Sequence, residues 1–507
     1  MLPIIIAATF LSRILFLDQF PPSLNWDEAS LGYNAYSILK SGRDEWGVAF
    51  PSIFRAFGDY KLPGYVYFSV LPTFLFDLNP LSTRLTSALF GIILVFTTYY
   101  ITRKMIGHWS LRIGHWAAIL AALSPWSWFL SRIALEANLA ASIFSVGLAL
   151  YFSRLSPIVT TLFLTLPVWI YNSYRIFVPL FLIPLFFLRR SRISVLTALI
   201  ILLPMFGQML LSSGQARFKW VTILDSAAIG ELEYLRNTSQ SPYKNLFYNR
   251  YSYLIFHVSK NYLNHFNPVF LFTSGSTNYQ FNIPNQGLIF LVFAPFFYLG
   301  IYQIFKHKNY FLIAWLLLAP IASSITKDSP HVLRSITFLP LPFILIALSL
   351  TQLKSKLLTS IIYLLFLSSI FYYLSSIPNY SKTYSWSWQY GTKQLSDYIV
   401  KHQSEYDQIL ITKKSGEPHI FLLYYQKINP NDYRTNPNLN RYLRSDWYWV
   451  DSFKNYRFIN DWEFADKVAS LDPDKKYLLI SSSPIPATKL TQINSLNNTP
   501  VFYIYEI

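Results

Sequence analysis

Residues 25–42, NWDEASLGYNAYSILKSG, decide how this chain is read, because they come directly after the apolar opening MLPIIIAATFLSRILFL (1–17). A run of roughly 17–25 apolar residues is long enough to cross a bilayer as a helix. In the stretch that follows, Leu31, Ala35, Ile38 and Leu39 fall on one helical face. Asp27 stands in an N-cap position, and Gly42 stands where a helix stops. A helix with one apolar face, lying between membrane spans, is expected to rest in the interface with its polar end turned towards a cavity.

The rest of the chain fits a membrane setting. Of 507 residues 53% are hydrophobic and only 13% are charged, about half the roughly 25% of a soluble domain. Aromatic residues reach 18%, as expected where rings anchor the chain at an apolar–aqueous boundary. The formal charge of +17 comes from basic clusters between apolar runs, which the positive-inside rule explains better than nucleic-acid binding. With no cysteine, disulfides, thiolate chemistry and Cys-ligated metals are excluded. The first run lacks a small-residue cleavage site and is read as a retained anchor.

About eleven spans are expected, near 2–17, 82–102, 113–130, 137–153, 157–171, 176–188, 193–211, 286–305, 310–325, 336–350 and 356–374. Basic residues occupy alternate gaps: Arg103, Lys104 and Arg112; Arg154; Arg189, Arg190 and Arg192; Lys306 and Lys308; Lys354 and Lys356. Those gaps are expected to face the cytoplasm. The loops 18–81, 131–136, 172–175, 212–285 and 326–335 then lie on the extracytoplasmic side of a multi-pass plasma-membrane protein, as does the tail. The chain divides into a membrane domain, 1–374, which includes loops 18–81 and 212–285, and a soluble α/β domain, 375–507. In the latter YDQILITKK and DKKYLLISSS read as buried strands and GTKQLSDYIVKHQ as a helix.

The first long loop concentrates carboxylates: Asp27, Glu28, Asp44, Glu45 and Asp59. An N-cap needs one, and the surplus supports a second reading of Asp27 as a base, a role suited to the positive end of a helix dipole. In FRAFGDYKLPGYVYF, Lys61 is either a lysine snorkelling beside an aromatic belt or a point charge for a phosphate at headgroup depth.

An N-terminal span, an Asp-Glu pair opening a helix, an aromatic-Lys-x-Pro stretch, many further spans and a soluble tail together resemble the C-type fold (GT-C) membrane glycosyltransferases. The nearest groups are the protein O-mannosyltransferases and the lipid A aminoarabinose transferases. The resemblance covers about 1–350 and is strongest in NWDEASLGYNAYSILKSG and FGDYKLPGYVYF. It implies transfer of a sugar from a polyprenyl-phosphate donor on the non-cytoplasmic side. Asp27 then takes the place of the carboxylate that acts as base or orients the acceptor, with Glu28 its neighbour, and Lys61 the place of the donor-phosphate lysine. Glu136 in SRIALEANLA falls at a second acidic position, where many relatives have Asp. A lone Glu at the mouth of a span is a functional candidate in its own right, and its other reading is an i,i+4 partner for Arg132.

Cations for a leaving phosphate are available at Arg175, beside Tyr174, and at His331 and Arg334; Arg contacts phosphate in bidentate fashion. The alternative for Arg334 is a structural ion pair. His331 can assist a phosphate, join the carboxylates on a metal, or sit in a wet interface. The carboxylates can hold a hard divalent ion, but no spacing demands one. Asp44, Glu45, Asp59 and Tyr174 are acceptor-side candidates, for a glycan, lipid or protein acceptor.

The chemistry expected is attack of an acceptor hydroxyl on the anomeric carbon of a lipid-phosphate sugar. The competing reading is a multi-span transporter or lipid flippase, but such proteins tend to carry inverted repeats and ionisable midplane residues, whereas the acidic residues here cluster in loops. A third reading, a scaffold with a partner-binding tail, leaves the acidic loop unexplained.

Overall fold

The structure, a computed structural model, describes residues 1–106, 110–153, 155–188 and 190–507. Arg154 and Arg189, two of the basic residues used to orient the chain, lie outside the described residues. The chain forms two compact units, each assembled from separated stretches.

One unit comprises Met1–Arg13, Leu89–Ser131 and Glu136–Leu374 and is built of apolar helices. Among the described residues three helices are long and apolar enough to cross a membrane: Pro80–Met105, Glu136–Ser153 and Lys356–Thr383. Shorter apolar helices occupy Leu2–Ile14, Leu111–Leu123, Pro157–Trp169, Asn172–Leu188, Val195–Leu210, Leu291–Lys306, Tyr310–Ser324 and Leu341–Leu350. Lys356–Thr383 bares Leu357, Leu364, Leu367 and Phe371, a face that lipid satisfies and water does not. Inside the unit, the buried Arg13 guanidinium donates to the carbonyls of Ala121 and Ala122 and to Ser127 Oγ. It thereby satisfies carbonyls at the end of helix Ser110–Leu123, which have no acceptor role within their own helix. The long loop expected at 212–285 is largely helical, with Ser212–Val221, Ser226–Thr238 and Arg250–Asn264 its longest segments.

The other unit joins Ile14–Ala88 and Arg132–Leu135 to Ser375–Ile507. A cut at residue 374 falls within helix Lys356–Thr383, whereas by contact the first loop and the tail belong to one body. Seven strands form its sheet: β3 (Gln408–Thr412), β4 (Asn440–Arg444), β5 (Trp447–Phe453), β6 (Tyr456–Ile459), β7 (Tyr477–Ser481), β8 (Thr488–Asn494) and β9 (Pro500–Glu506). Their order is β4-β5-β6-β3-β7-β9-β8, with central β3 parallel to β6 and β7 and the remaining pairs antiparallel. The expected strands and helix of the tail are present as β3, β7 and Thr392–His402. A two-stranded hairpin, β1 (Phe54–Arg55) and β2 (Tyr60–Lys61), lies in the first loop.

Helix α2 (Trp26–Ser41) is central to this second unit. Its cap is Asn25, not Asp27: Asn25 Oδ1 accepts the Glu28 N–H at 2.9 Å and Glu28 Oε2 accepts the Asn25 N–H at 3.2 Å, a reciprocal capping box. Its stop is Gly42, as the sequence indicated, with φ +63°. The expected interfacial helix with one wet face is not what forms, because every residue from Glu28 to Ile38 is buried. Ala29, Tyr33 and Tyr36 share one apolar core with Ile409 and Ile411 of β3 and with Ile420, Phe421 and Leu423 of helix Pro418–Tyr425. Gly32 permits this approach, since a Cβ there would stand 2.6 Å from Thr83 Oγ1 and 2.7 Å from the Tyr424 ring.

Candidate active site

Asp27 and Glu28 are neighbours with opposite surroundings. Glu28 and Arg84 have no exposed side-chain surface. Arg84 Nε and Nη2 donate to Glu28 Oε1 and Oε2 at 2.9 and 3.0 Å, and Oε1 also accepts the Ala134 N–H at 2.8 Å. Arg84 spends its remaining donors on the carbonyls of Leu17, Pro21 and Ser23. Burying two charges costs several kcal/mol each, a loss offset only by bonding as complete as this. Glu28 is therefore fully buried and bonded in this geometry, with both carboxylate oxygens engaged.

Asp27 instead occupies the first turn of α2, where backbone N–H groups favour negative charge. Its carboxylate meets Lys61 Nζ, at the end of β2, at 3.0 Å, with 31% of the Asp27 side chain and 14% of the Lys61 side chain exposed. The hairpin delivers the lysine through the pairing of Lys61 with Phe54. Asp59 closes the hairpin, its carboxylate accepting the Tyr60 N–H and its carbonyl the Ala56 N–H. Pro63 then starts helix α3 (Pro63–Phe76).

Aromatic side chains frame the pair. The Trp26 ring lies 6.1 Å from Phe57 and 6.4 Å from Trp447, and Phe57 stacks on Trp447 with 21° between planes. Trp26 also crosses Gly416, where a Cβ would fall 2.0 Å from the indole and φ is +103°, so that position admits only glycine. The Trp447 indole N–H donates to the buried Glu417, whose other oxygen lies 3.4 Å from His419 Nδ1. Sequence reasoning singled out none of Trp26, Phe57, Trp447, Glu417 and His419. Their aromatic and acidic character was visible, but the sheet that brings them near α2 was not. Arg84 carried a clearer signal, being an ionisable residue in the apolar run PLSTRLTSALFGIIL.

The second acidic pair is enclosed. Asp44 Oδ1 accepts the Trp46 and Val48 N–H groups in a tight turn, while the Glu45 N–H donates to Asn34 Oδ1. Asp44 is 2% and Glu45 5% exposed, which leaves neither an open face for an acceptor. Burial, followed by the charge of Asp44, pushes the Glu45 carboxyl up to about 8, against the pull of Arg441. Burial raises Asp44 as well, opposed by its three backbone N–H donors. Arg43, next to Asp44 in the chain, donates to the Gly47 carbonyl.

The remaining candidates belong to the helical unit, except that Arg132 falls in the sheet-bearing one. Arg132 precedes helix Glu136–Ser153 and donates to the carbonyls of Leu15, Phe16 and Phe20, so it does not share a helical face with Glu136. Glu136 opens that helix and is buried. Tyr174 and Arg175 lie in the first turn of helix Asn172–Leu188 rather than in a free turn, and both are buried. Arg175 donates to the Val168 carbonyl and to Gln208. His331 precedes a short 3-10 turn that Arg334 begins, so the two are not one face of a helix. Arg334 Nη1 donates to Thr326 Oγ1 and the Lys327 carbonyl. Burial, aided by the positive charges of Arg334 and Arg217, pushes His331 down to about 3. Among the described residues no group of three or more His, Asp or Glu is arranged to hold a metal ion.

The architecture built by these elements is similar to that of two solved structures, an ArnT and an oligosaccharyltransferase, which is the kind of fold the sequence resemblance implied. ArnT from Cupriavidus metallidurans bound to undecaprenyl phosphate is 11% identical, with a TM-score of 0.56 over 100% of this chain and 97% of that one. The Archaeoglobus fulgidus oligosaccharyltransferase in complex with zinc and sulfate is 14% identical, with a TM-score of 0.50 over 84% of this chain and 61% of that one. At these identities the likeness is one of fold. No family model and no curated protein sequence matches the chain.

Proposed function

We propose that this chain is an integral membrane glycosyltransferase that moves a sugar from a polyprenyl-phosphate donor to an acceptor hydroxyl. The observation that carries the reading is the Asp27–Lys61 pair: a carboxylate in the first turn of α2 and an ammonium 3.0 Å away, both partly open, on a fold shared with a protein that binds undecaprenyl phosphate. A donor phosphate arriving at Lys61 competes with Asp27 for the ammonium. The released carboxylate is then free to accept the proton of the attacking hydroxyl as the oxygen bonds to the anomeric carbon and the lipid phosphate departs. Arg175 and Arg334, each with donors beyond those already bonded, are assigned to the departing phosphate, and Glu136 to the acceptor side.

On this reading the eleven apolar helices are the membrane spans of the domain 1–374. The loops bearing Asp27 and Lys61, together with the domain 375–507, lie on the extracytoplasmic face of the plasma membrane, where lipid-linked donors present their sugars. The transporter alternative has no observation in its favour. Incubating the purified protein with a panel of polyprenyl-phosphate sugars and following release of polyprenyl phosphate tests the proposal. Consumption of at least one donor is expected, and inertness towards every donor with a broad mixture of hydroxyl acceptors present would overturn it.

A further inference from the structure

The sheet has two faces, and only one is fully covered. Ile409 and Ile411 of β3, Leu478 and Ile480 of β7, and Tyr456 and Phe458 of β6 point into the large core beneath α2. Alternate residues on these strands point to the other face, as the period of two requires. There Leu410, Leu479, Tyr477 and Ile459 pack under Phe464 and Val468 of helix Phe464–Ala469. That cover reaches the Ile459 end of β6. Beyond it the row in register with Leu410 continues as Arg457 on β6, Ser452 on β5 and Asn440 on β4. Polar residues thus replace aliphatic ones where the helix ends, and they floor a groove of 660 Å³.

The charges in this groove do not cancel locally. Arg444, Arg457 and Lys467 line it and, among the described residues, make no ion pair. Its two acids are already engaged: Asp451 pairs with Lys413 and accepts from Tyr442, and Glu463 accepts from Asn460. Three unpaired cations call for an anion. The Gln408 and Asn440 amides beside them can donate and accept, and the Tyr442 and Ser452 hydroxyls, which donate to Asp451 and to the Asn438 carbonyl, can accept. The carboxylates repel a bare phosphate but accept hydrogen bonds from hydroxyls. A ligand that uses the whole set carries one negative charge and many hydroxyls, and the volume lies within the range of roughly 300–1,000 Å³ usual for small-molecule sites.

We propose that this groove is a binding site for an acidic saccharide of one or two units, bearing a carboxylate or phosphate that Arg457 grips with support from Arg444 and Lys467. The site goes beyond the transferase reading and does not rest on it, because it is tested by binding without turnover.

The test uses the full-length detergent-solubilised protein and calorimetric titration with a disaccharide containing one glucuronate, its neutral glucose counterpart, glucose 1-phosphate, inorganic phosphate and a short single-stranded oligonucleotide. At least one acidic sugar is expected to bind about tenfold or more tightly than the neutral disaccharide, as one charge-assisted hydrogen bond predicts, and which of the two prevails identifies the charged group. Arg457→Gln should remove about tenfold of that affinity while leaving the neutral sugar unaffected. Should Arg457→Gln lower the melting temperature, the exposed Arg444→Gln takes its place, with a loss of roughly threefold expected for a more peripheral charge. Equal affinity for charged and neutral sugars, inorganic phosphate or oligonucleotide binding as tightly as the acidic sugars, or an unchanged affinity in the folded Arg variant, each overturns the proposal.

Discussion

The two Asp-Glu pairs lie at opposite ends of one helix, and their surroundings differ at every position. In the first turn of α2, Glu28 is sealed with a full set of partners while Asp27 stays partly open beside Lys61. Beyond its C-terminus both acids are sealed, Asp44 closing a turn and Glu45 keeping its Oε2 without a hydrogen-bond partner among the described residues. The same dipeptide thus supplies an anchored charge and an available one in the first case, and a turn lock and a neutralised acid in the second. Type and spacing do not separate these roles, since exposure and the identity of the nearest cation decide them.

The sharpest way to break this contrast is Asp27→Asn, which keeps shape and removes the carboxylate proposed as base. Transfer measured with the donor identified from the panel should fall by about 10²–10⁴-fold, with the melting temperature unchanged. Retained turnover would end the distinction between Asp27 and its neighbours. Next in size, Glu28→Gln leaves Arg84 a buried charge without its counter-ion and should cost about 3–5 kcal/mol of stability, read as a loss of monodisperse protein on heating followed by gel filtration. A stable Glu28→Gln protein that lacked transfer would move Glu28 from anchor to catalyst.

Glu45→Gln probes the other end of the helix. The folded chain holds the Glu45 proton up to about pH 8, whereas an ordinary carboxyl at 4.5 releases it in the unfolded chain. The folded state binds more protons between those values, so this group makes stability fall as pH rises across the window. Glu45→Gln should flatten that slope in thermal unfolding recorded from pH 5 to 8, and an unaltered slope would mean that Glu45 is ionised in its pocket. The smallest effect is expected from Lys61→Gln: stability within about 1 kcal/mol, since the pair is partly exposed, with the apparent KM for lipid donor raised about tenfold. An unchanged KM would leave Lys61 only a structural partner of Asp27.

Much of the fold was legible because apolar runs obey local rules. The helices, the Gly42 stop, and β3 and β7 in the tail all follow from composition and period. The environment of α2 did not, because Leu31, Ala35, Ile38 and Leu39 describe one apolar face while the polar face is buried as well, beneath a sheet more than 350 residues later in the chain. Asn25 and Asp27 suit an N-cap equally well by residue type, so type alone does not choose between them. Asp27 and Lys61 were both singled out from sequence, although the hairpin that joins them rests on only two residue pairs.

The Trp26 indole lying across Gly416 carries a temporal consequence. Residues 14–88 leave the ribosome first, yet the core they share arrives only with 375–507. At about 5–20 residues per second, synthesis of the intervening chain takes roughly 15–60 s. During that time Tyr33, Tyr36 and the Arg84–Glu28 pair await their cover. A chain cut short before Gly416 lacks the sheet that completes the core around α2.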